Sequence, residues 1–147
     1  MSDKPVCKVD MDGSKGWYLN DVLHREDGPA VEWPNGTKKW YIGGLPHRGD
    51  GPAVVHPNGT VEWWLNGKMH REGGPALERA NGDKGWAYDG MRHRLDGPAY
   101  VAANGEIIWY IFDEDRTAEI EAWLEENGIT LPFGEDDQNA FNNKFGS

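Results

Sequence analysis

The heptapeptide His-Arg-x-x-Gly-Pro-Ala begins at His24, His47, His70 and His93, and every step is 23 residues with no insertion or deletion. A fixed period of this size makes each copy one supersecondary unit, which buries its apolar face only by stacking on its neighbours. The 147 residues hold about five such units, so an array is expected rather than one closed domain. Repeat scaffolds chiefly bind other molecules, so the architecture alone does not name a function.

One unit runs from Pro29 to Gly51. Two short apolar stretches meet at Asn35-Gly36, a dipeptide that favours positive φ at both central turn positions and predicts a type I′ hairpin. The signal recurs at Asn58-Gly59, Asn81-Gly82 and Asn104-Gly105, with Asp12-Gly13 in register. A second turn signal lies at Gly43-Gly44, Asn66-Gly67 and Asp89-Gly90, with Asn20-Asp21 as the first member. The fold class expected is therefore all-β: an elongated, single-sheet antiparallel β-hairpin array over residues 1–112. Equivalent residues of neighbouring units should lie roughly 10 Å apart, two strand spacings.

Trp17, Trp40, Trp63, Trp86 and Trp109 form one column, and Tyr18, Tyr41, Trp64, Ala87 and Tyr110 form the next. Adjacent strand residues point to opposite faces, so a single-layer sheet carries aromatics on both. Rings roughly 10 Å apart cannot stack on one another, and Val31, Val54 or Leu77 is expected to fill between the tryptophans. Past Phe112 the turn signal gives way to Asp113-Glu114-Asp115, and Ile120, Trp123 and Leu124 take helical spacing. This predicts a helix from about Asp115 to Asn127, stopped at Gly128, capping the last sheet edge. Residues 113–147 thus form a C-terminal cap and acidic tail, in which Phe133, Phe141 and Phe145 either dock or meet a partner.

The formal charge of −10 argues against a general nucleic-acid binder or an anionic membrane partner. Residues 1–10 lack the apolar core of a secretion signal, and no stretch reaches the ~20 apolar residues of a span. With one cysteine, Cys7, a soluble cytoplasmic chain is expected.

The four in-register histidines do not suit a metal. Ligands of one zinc ion sit about 2.0–2.1 Å from it, and a ~10 Å repeat rise separates the imidazoles. Identical copies also fail to give an acid and a base different environments, so neither catalysis nor a cofactor is expected. In the structural reading, Asp27, Asp50 and Asp96 bond turn amides or an arginine while Gly28, Gly51, Gly74 and Gly97 permit the turn. Glu72-Gly73-Gly74 lacks the aspartate, so the third copy should be looser.

Two binding surfaces remain. Exposed aromatics Tyr41, Trp64 and Tyr110 would anchor a protein partner. Alternatively His47, Arg48, His70, Arg71, Arg92, His93 and Arg94 would form a basic stripe for a small phosphate-bearing ligand. The acidic run from Asp113 to Asp137 suggests a third reading, a mimic of nucleic acid. A sheet edge near Val9 leaves a homodimer open.

Trp63-Trp64-Leu65-Asn66-Gly67-Lys68-Met69-His70 carries the order aromatic pair, turn, histidine that recurs from about Gly13 to Tyr110. In this the chain resembles the MORN-repeat variants, hairpin repeats of bacterial and phage proteins, some of them labelled antitoxin-like. The better-known MORN repeat continues His-Gly-x-Gly, whereas here His-Arg leads to Asp-Gly-Pro, and together with the acidity this argues against a lipid-binding role. The resemblance implies an elongated twisted sheet, an interaction role and no catalytic residue. The expected function is a non-enzymatic scaffold that binds and inhibits or neutralises a bacterial protein.

Overall fold

A computed structural model describes residues 4–147; the first three residues, part of the segment read above for a secretion signal, lie outside it. The chain is a hairpin array with a helical cap. An eleven-stranded antiparallel sheet runs through Val6–Val9, Lys15–Leu19, Val31–Glu32, Lys38–Lys39, Val54–Val55, Val61–Glu62, Leu77–Glu78, Lys84–Gly85, Tyr100–Val101 and Ile107–Ile108, with Val22–Leu23 paired to Lys15–Leu19. Strand order follows chain order: within a unit a tight turn joins neighbouring strands, and between units a ribbon and the return loop lead to the adjacent strand.

Beside this sheet lie four short ribbons, Tyr41–Ile42 with Leu45–Pro46 and its equivalents at Trp64–Leu65, Ala87–Tyr88 and Tyr110–Ile111. From Trp40 onward the tryptophan column marks the break between sheet and ribbon, while Trp17 lies within the continuous strand Lys15–Leu19. The Trp40 N–H donates to the Ala53 carbonyl of the next unit at 2.7 Å, and the Trp40 carbonyl accepts from His47 N–H at 3.0 Å. The ribbons are joined in turn by Gly44, Gly67 and Gly90 N–H groups donating to Leu23, Pro46 and Met69 carbonyls at 2.8–2.9 Å. Ala30, Ala53, Ala76 and Ala99 are at most 1% exposed, so each unit brings backbone, rather than a large side chain, against the next.

The Asn-Gly tips are not the type I′ turns expected of them. At the Asn-Gly tips only glycine has positive φ, 98° at Gly36, and Gly36 N–H donates to Trp33 while Trp33 N–H donates to Thr37. This is a three-residue loop, a type I turn closed by a left-handed glycine. Pro34 and Pro57 sit at the first turn position, where their ring holds φ near −65° and excludes type I′. The type I′ turns are the second set: Gly43-Gly44, Asn66-Gly67, Asp89-Gly90 and Asn20-Asp21 all have positive φ at both residues. A fifth lies where none was expected, at Phe112-Asp113, with φ of 45° and 70°. The signal was hidden by a phenylalanine in a place that favours Gly, Asn or Asp.

The cap has two helices, α1 (Thr117–Glu126) and α2 (Glu135–Phe145). Helix α1 starts two residues later than expected, since Asp115 serves outside the helix, accepting Thr117 N–H at 3.0 Å. It ends as expected: Gly128 has φ of 64°, and Gly128 and Ile129 N–H groups donate to Glu125 and Leu124 carbonyls. Helix α2 was read only as a tail. It docks, burying Phe141 and Phe145 with Trp109, Ile111 and Ile120 in the one large apolar cluster among the described residues.

Candidate functional site

The arginine of each heptapeptide lies on the tryptophan of its own unit. The guanidinium carbons of Arg25, Arg48, Arg71 and Arg94 are 3.9, 4.0, 3.8 and 3.8 Å from the ring centroids of Trp17, Trp40, Trp63 and Trp86. Arginine, which the sequence reading did not place there, therefore covers the rings. Each Nη1 donates to the proline carbonyl four residues on, at 3.0–3.1 Å. Each Nε except that of Arg71 donates to the aspartate two residues on, at 2.7–3.1 Å. The third copy lacks this bond because Gly73 stands in place of aspartate.

The glycine before each proline has a different role from the one expected. A Cβ at Gly28, Gly51 or Gly74 would lie 2.9 Å from the guanidinium carbon, and at Gly97 2.7 Å. These glycines make room for the arginine, and none of them needs a left-handed backbone.

The histidines are also committed. Nδ1 of His24, His47, His70 and His93 accepts the first N–H of the type I′ turn in the following unit, from Gly43, Asn66, Asp89 and Phe112, at 2.9–3.0 Å. The proton of each neutral imidazole therefore sits on Nε2. Partial burial lowers the pKa of His93, whose ring stacks on Phe112 at 4.1 Å. Among the described residues no group of three His, Cys, Asp or Glu is placed to hold a metal ion.

The face opens into clefts in register, the first between Lys4-Pro5 and the Arg25 loop, the next two between successive arginine loops. The first, about 640 Å³, has Trp17 and Leu19 on its floor; the second, about 790 Å³, Trp40 and Ile42; the third, about 570 Å³, Trp63 and Leu65. The aliphatic residue two beyond each of these three tryptophans went unremarked in the sequence, although a period of two puts both on one face. Glu26, Asp27, Asp50 and Glu72 reach the rims with side chains 78–90% exposed, and Asp27 and Asp50 are paired there with Arg25 and Arg48 at 3.0 and 3.1 Å.

The sequence-predicted anchors Tyr41, Trp64 and Tyr110 are half-buried rather than exposed, and none of them lines these clefts. The Trp64 Nε1 proton is buried without an acceptor. Tyr110 lies under Arg92, at 4.1 Å, and Arg92 Nε donates to Asp113 at 2.6 Å. Arg92 is thus apart from the stacked ladder of Arg48, Arg71 and Arg94, and its bond holds the Asp113 carboxyl below the usual aspartate range. Asp115, bonded by Thr117, and Glu119, bonded by Arg116, are lowered likewise, so these three carboxylates of the acidic run are engaged in local contacts.

The array ends at Trp109. No sixth unit supplies an alanine carbonyl for its N–H, and the Thr117 hydroxyl accepts that bond at 2.9 Å. Comparison with known proteins gives no matching family model and no matching curated relative. No helix among the described residues is long and apolar enough to cross a membrane.

Proposed function

We propose that this chain is a non-enzymatic, protein-binding repeat scaffold that acts in the cytoplasm by inhibiting or neutralising a bacterial partner protein. The observation that carries the reading is the row of clefts with Trp40 and Ile42, then Trp63 and Leu65, on half-buried floors. Aromatic and aliphatic groups held in a rigid, repeated frame are what a protein hot spot needs. The likeness to MORN-repeat variants supports a bacterial or phage setting. Repetition speaks against catalysis, since each unit offers the same environment.

The phosphate-ligand reading has less support. Arg48 and Arg94 each spend Nε and Nη1 within their own loop and one face on tryptophan, and His47 and His93 spend Nδ1 on a turn. The open edge strand Val6–Val9, exposed at all four residues, suits pairing with a second copy. The test is capture from bacterial lysate by tagged wild type and by an Ile42→Glu/Leu65→Glu variant. A protein retained by wild type and lost by the variant supports the reading; release of only a phosphate-bearing small molecule on denaturation refutes it.

A further inference from the structure

The eleven-stranded sheet is open at both ends, and the two ends fit one another. Its edges among the described residues are Val6–Val9 and Ile107–Ile108. Asp10 N–H donates to the Ser14 carbonyl and Ala102 N–H to the Glu106 carbonyl, at 2.9 and 2.8 Å. Antiparallel pairs alternate between bonded and non-bonded, so Val9↔Lys15 and Val101↔Ile107 are non-bonded pairs. The N–H and C=O of Val9 and of Ile107 therefore face outward, without a partner strand. Both side chains are apolar and open to solvent, Val9 at 63% and Ile107 at 36% exposed. The cap does not bury this edge: its cluster takes in Trp109 and Ile111 but neither Ile107 nor Ile108. Of the usual edge guards, Pro5 lies before the first strand, and Lys8 folds over the Tyr18 ring, 5.0 Å from its centroid.

The repeat supplies the register. Junctions between units pair Lys15↔Glu32, Lys38↔Val55, Val61↔Glu78 and Lys84↔Val101, each one period beyond the last. The next would pair Ile107 with Leu124, which helix α1 takes out of the sheet. Five periods before Leu124 stands Val9, so the strand missing at one end is of the kind that begins the array. We propose that a second copy of this chain adds end to end, its Val6–Val9 edge pairing antiparallel with Ile107–Ile108 in the register Ile107↔Val9, Ile108↔Lys8. Val101, Ile107 and Val9 of the second copy then lie in a row across one face, as Val55 and Val61 do inside the array. The Trp109 N–H stays on Thr117, so this junction lacks the tryptophan-to-alanine bond of the internal ones and is weak, with a Kd on the order of 100 μM. Glu106 meets Asp10 of the second copy, and each chain carries a formal charge of −10, so salt strengthens the contact. A symmetric pair of Val6–Val9 edges fits less well, because bonding all the outward groups of Cys7 and Val9 sets Lys8 opposite Lys8. Unlike edges do not close on each other, and the product is an open chain of copies.

The test is sedimentation equilibrium of the full chain at up to ~1 mM in ~0.5 M salt. The average mass is expected to rise with concentration past that of a dimer. Val9→Pro and Ile107→Pro each remove an outward N–H that makes no bond within the chain, the place on an edge strand where proline is tolerated. Each alone should associate at least ~10-fold more weakly than wild type. An equimolar mixture should form dimers, since the first variant keeps its Ile107 end and the second its Val9 end. On wild type, independently of any variant, the amide resonances of Val9 and Ile107 should shift with concentration, while those of Lys38 and Val55, already paired, should not. A monomer throughout, unmoved Val9 and Ile107 resonances, Ile107→Pro associating as strongly as wild type, or a mixture that stays monomeric would each overturn the proposal. The cleft variant Ile42→Glu/Leu65→Glu should associate as wild type does, and loss of association there would also overturn it. Failure of lysate capture leaves this contact standing, so the two readings are tested apart.

Discussion

Replacing Arg48 with alanine tests whether the arginine ladder is a structural clamp or a free binding stripe. The side chain is 27% exposed, stacks on Trp40 at 4.0 Å and donates to the Pro52 carbonyl at 3.1 Å. A partly exposed cation–π contact contributes about 0.5–1 kcal/mol. A hydrogen bond from a charged donor contributes about 1.5–3 kcal/mol, and its loss strands a part-buried carbonyl. Asp50 is 90% exposed, so its ion pair adds little. The total is about 2–4 kcal/mol, and equilibrium urea unfolding should show it as a fall in midpoint of about 1–2 M for a slope near 2 kcal/mol/M. Arg71→Ala, at a site without the aspartate, should cost nearly as much. Arg48→Lys should recover only part, since an ammonium lacks the planar fork and face. A change within about 0.5 kcal/mol, the ordinary range for a surface substitution, would refute the clamp.

Thr117→Val removes the acceptor of the Trp109 N–H and should cost about 1–3 kcal/mol, with faster hydrogen exchange at that amide; unchanged protection would contradict the assigned end of the array. Phe141→Ala should cost about 3–5 kcal/mol and expose Trp109 to fluorescence quenchers, whereas a docked cap with unquenched Trp109 would show that α2 is not what covers it. The lowered pKa of His93 has a definite sign. The unfolded chain binds the proton first, so this contribution is full above the ordinary histidine range near pH 6.5 and is lost as pH falls through the lower folded value. His93→Gln should flatten the thermal stability profile in that window; an identical pH slope in the variant would remove His93 as its source.

The period, the hairpin order and the existence of a helical cap were legible because 23-residue spacing and turn residues are local signals. The turn types were not, since Asn35-Gly36 is decided by the proline before it and by the hydrogen bond of Thr37 N–H to the Asn35 side chain. Helix α2 was hidden for a related reason: its sequence is polar, with Phe141 and Phe145 alone as a buried stripe, and it is stabilised by docking rather than by its own pattern. The histidines bond turns 19 residues away, a contact set by stacking of units that no local motif announces. At the site, Trp40 was read as core and Tyr41 as surface. Both are half-buried, and Trp40 and Ile42 line the cleft together with Arg48.

The most direct test of the central claim is calorimetric titration of a purified partner, obtained by capture, against three proteins: wild type, Ile42→Glu/Leu65→Glu, and Tyr41→Ala/Tyr110→Ala. Binding through the clefts predicts at least ~10-fold weaker affinity, about 1.4 kcal/mol, for the cleft variant and little change for the other. Equal affinity of the cleft variant and wild type, with loss in the tyrosine variant, would place the interface on the opposite face and contradict the account.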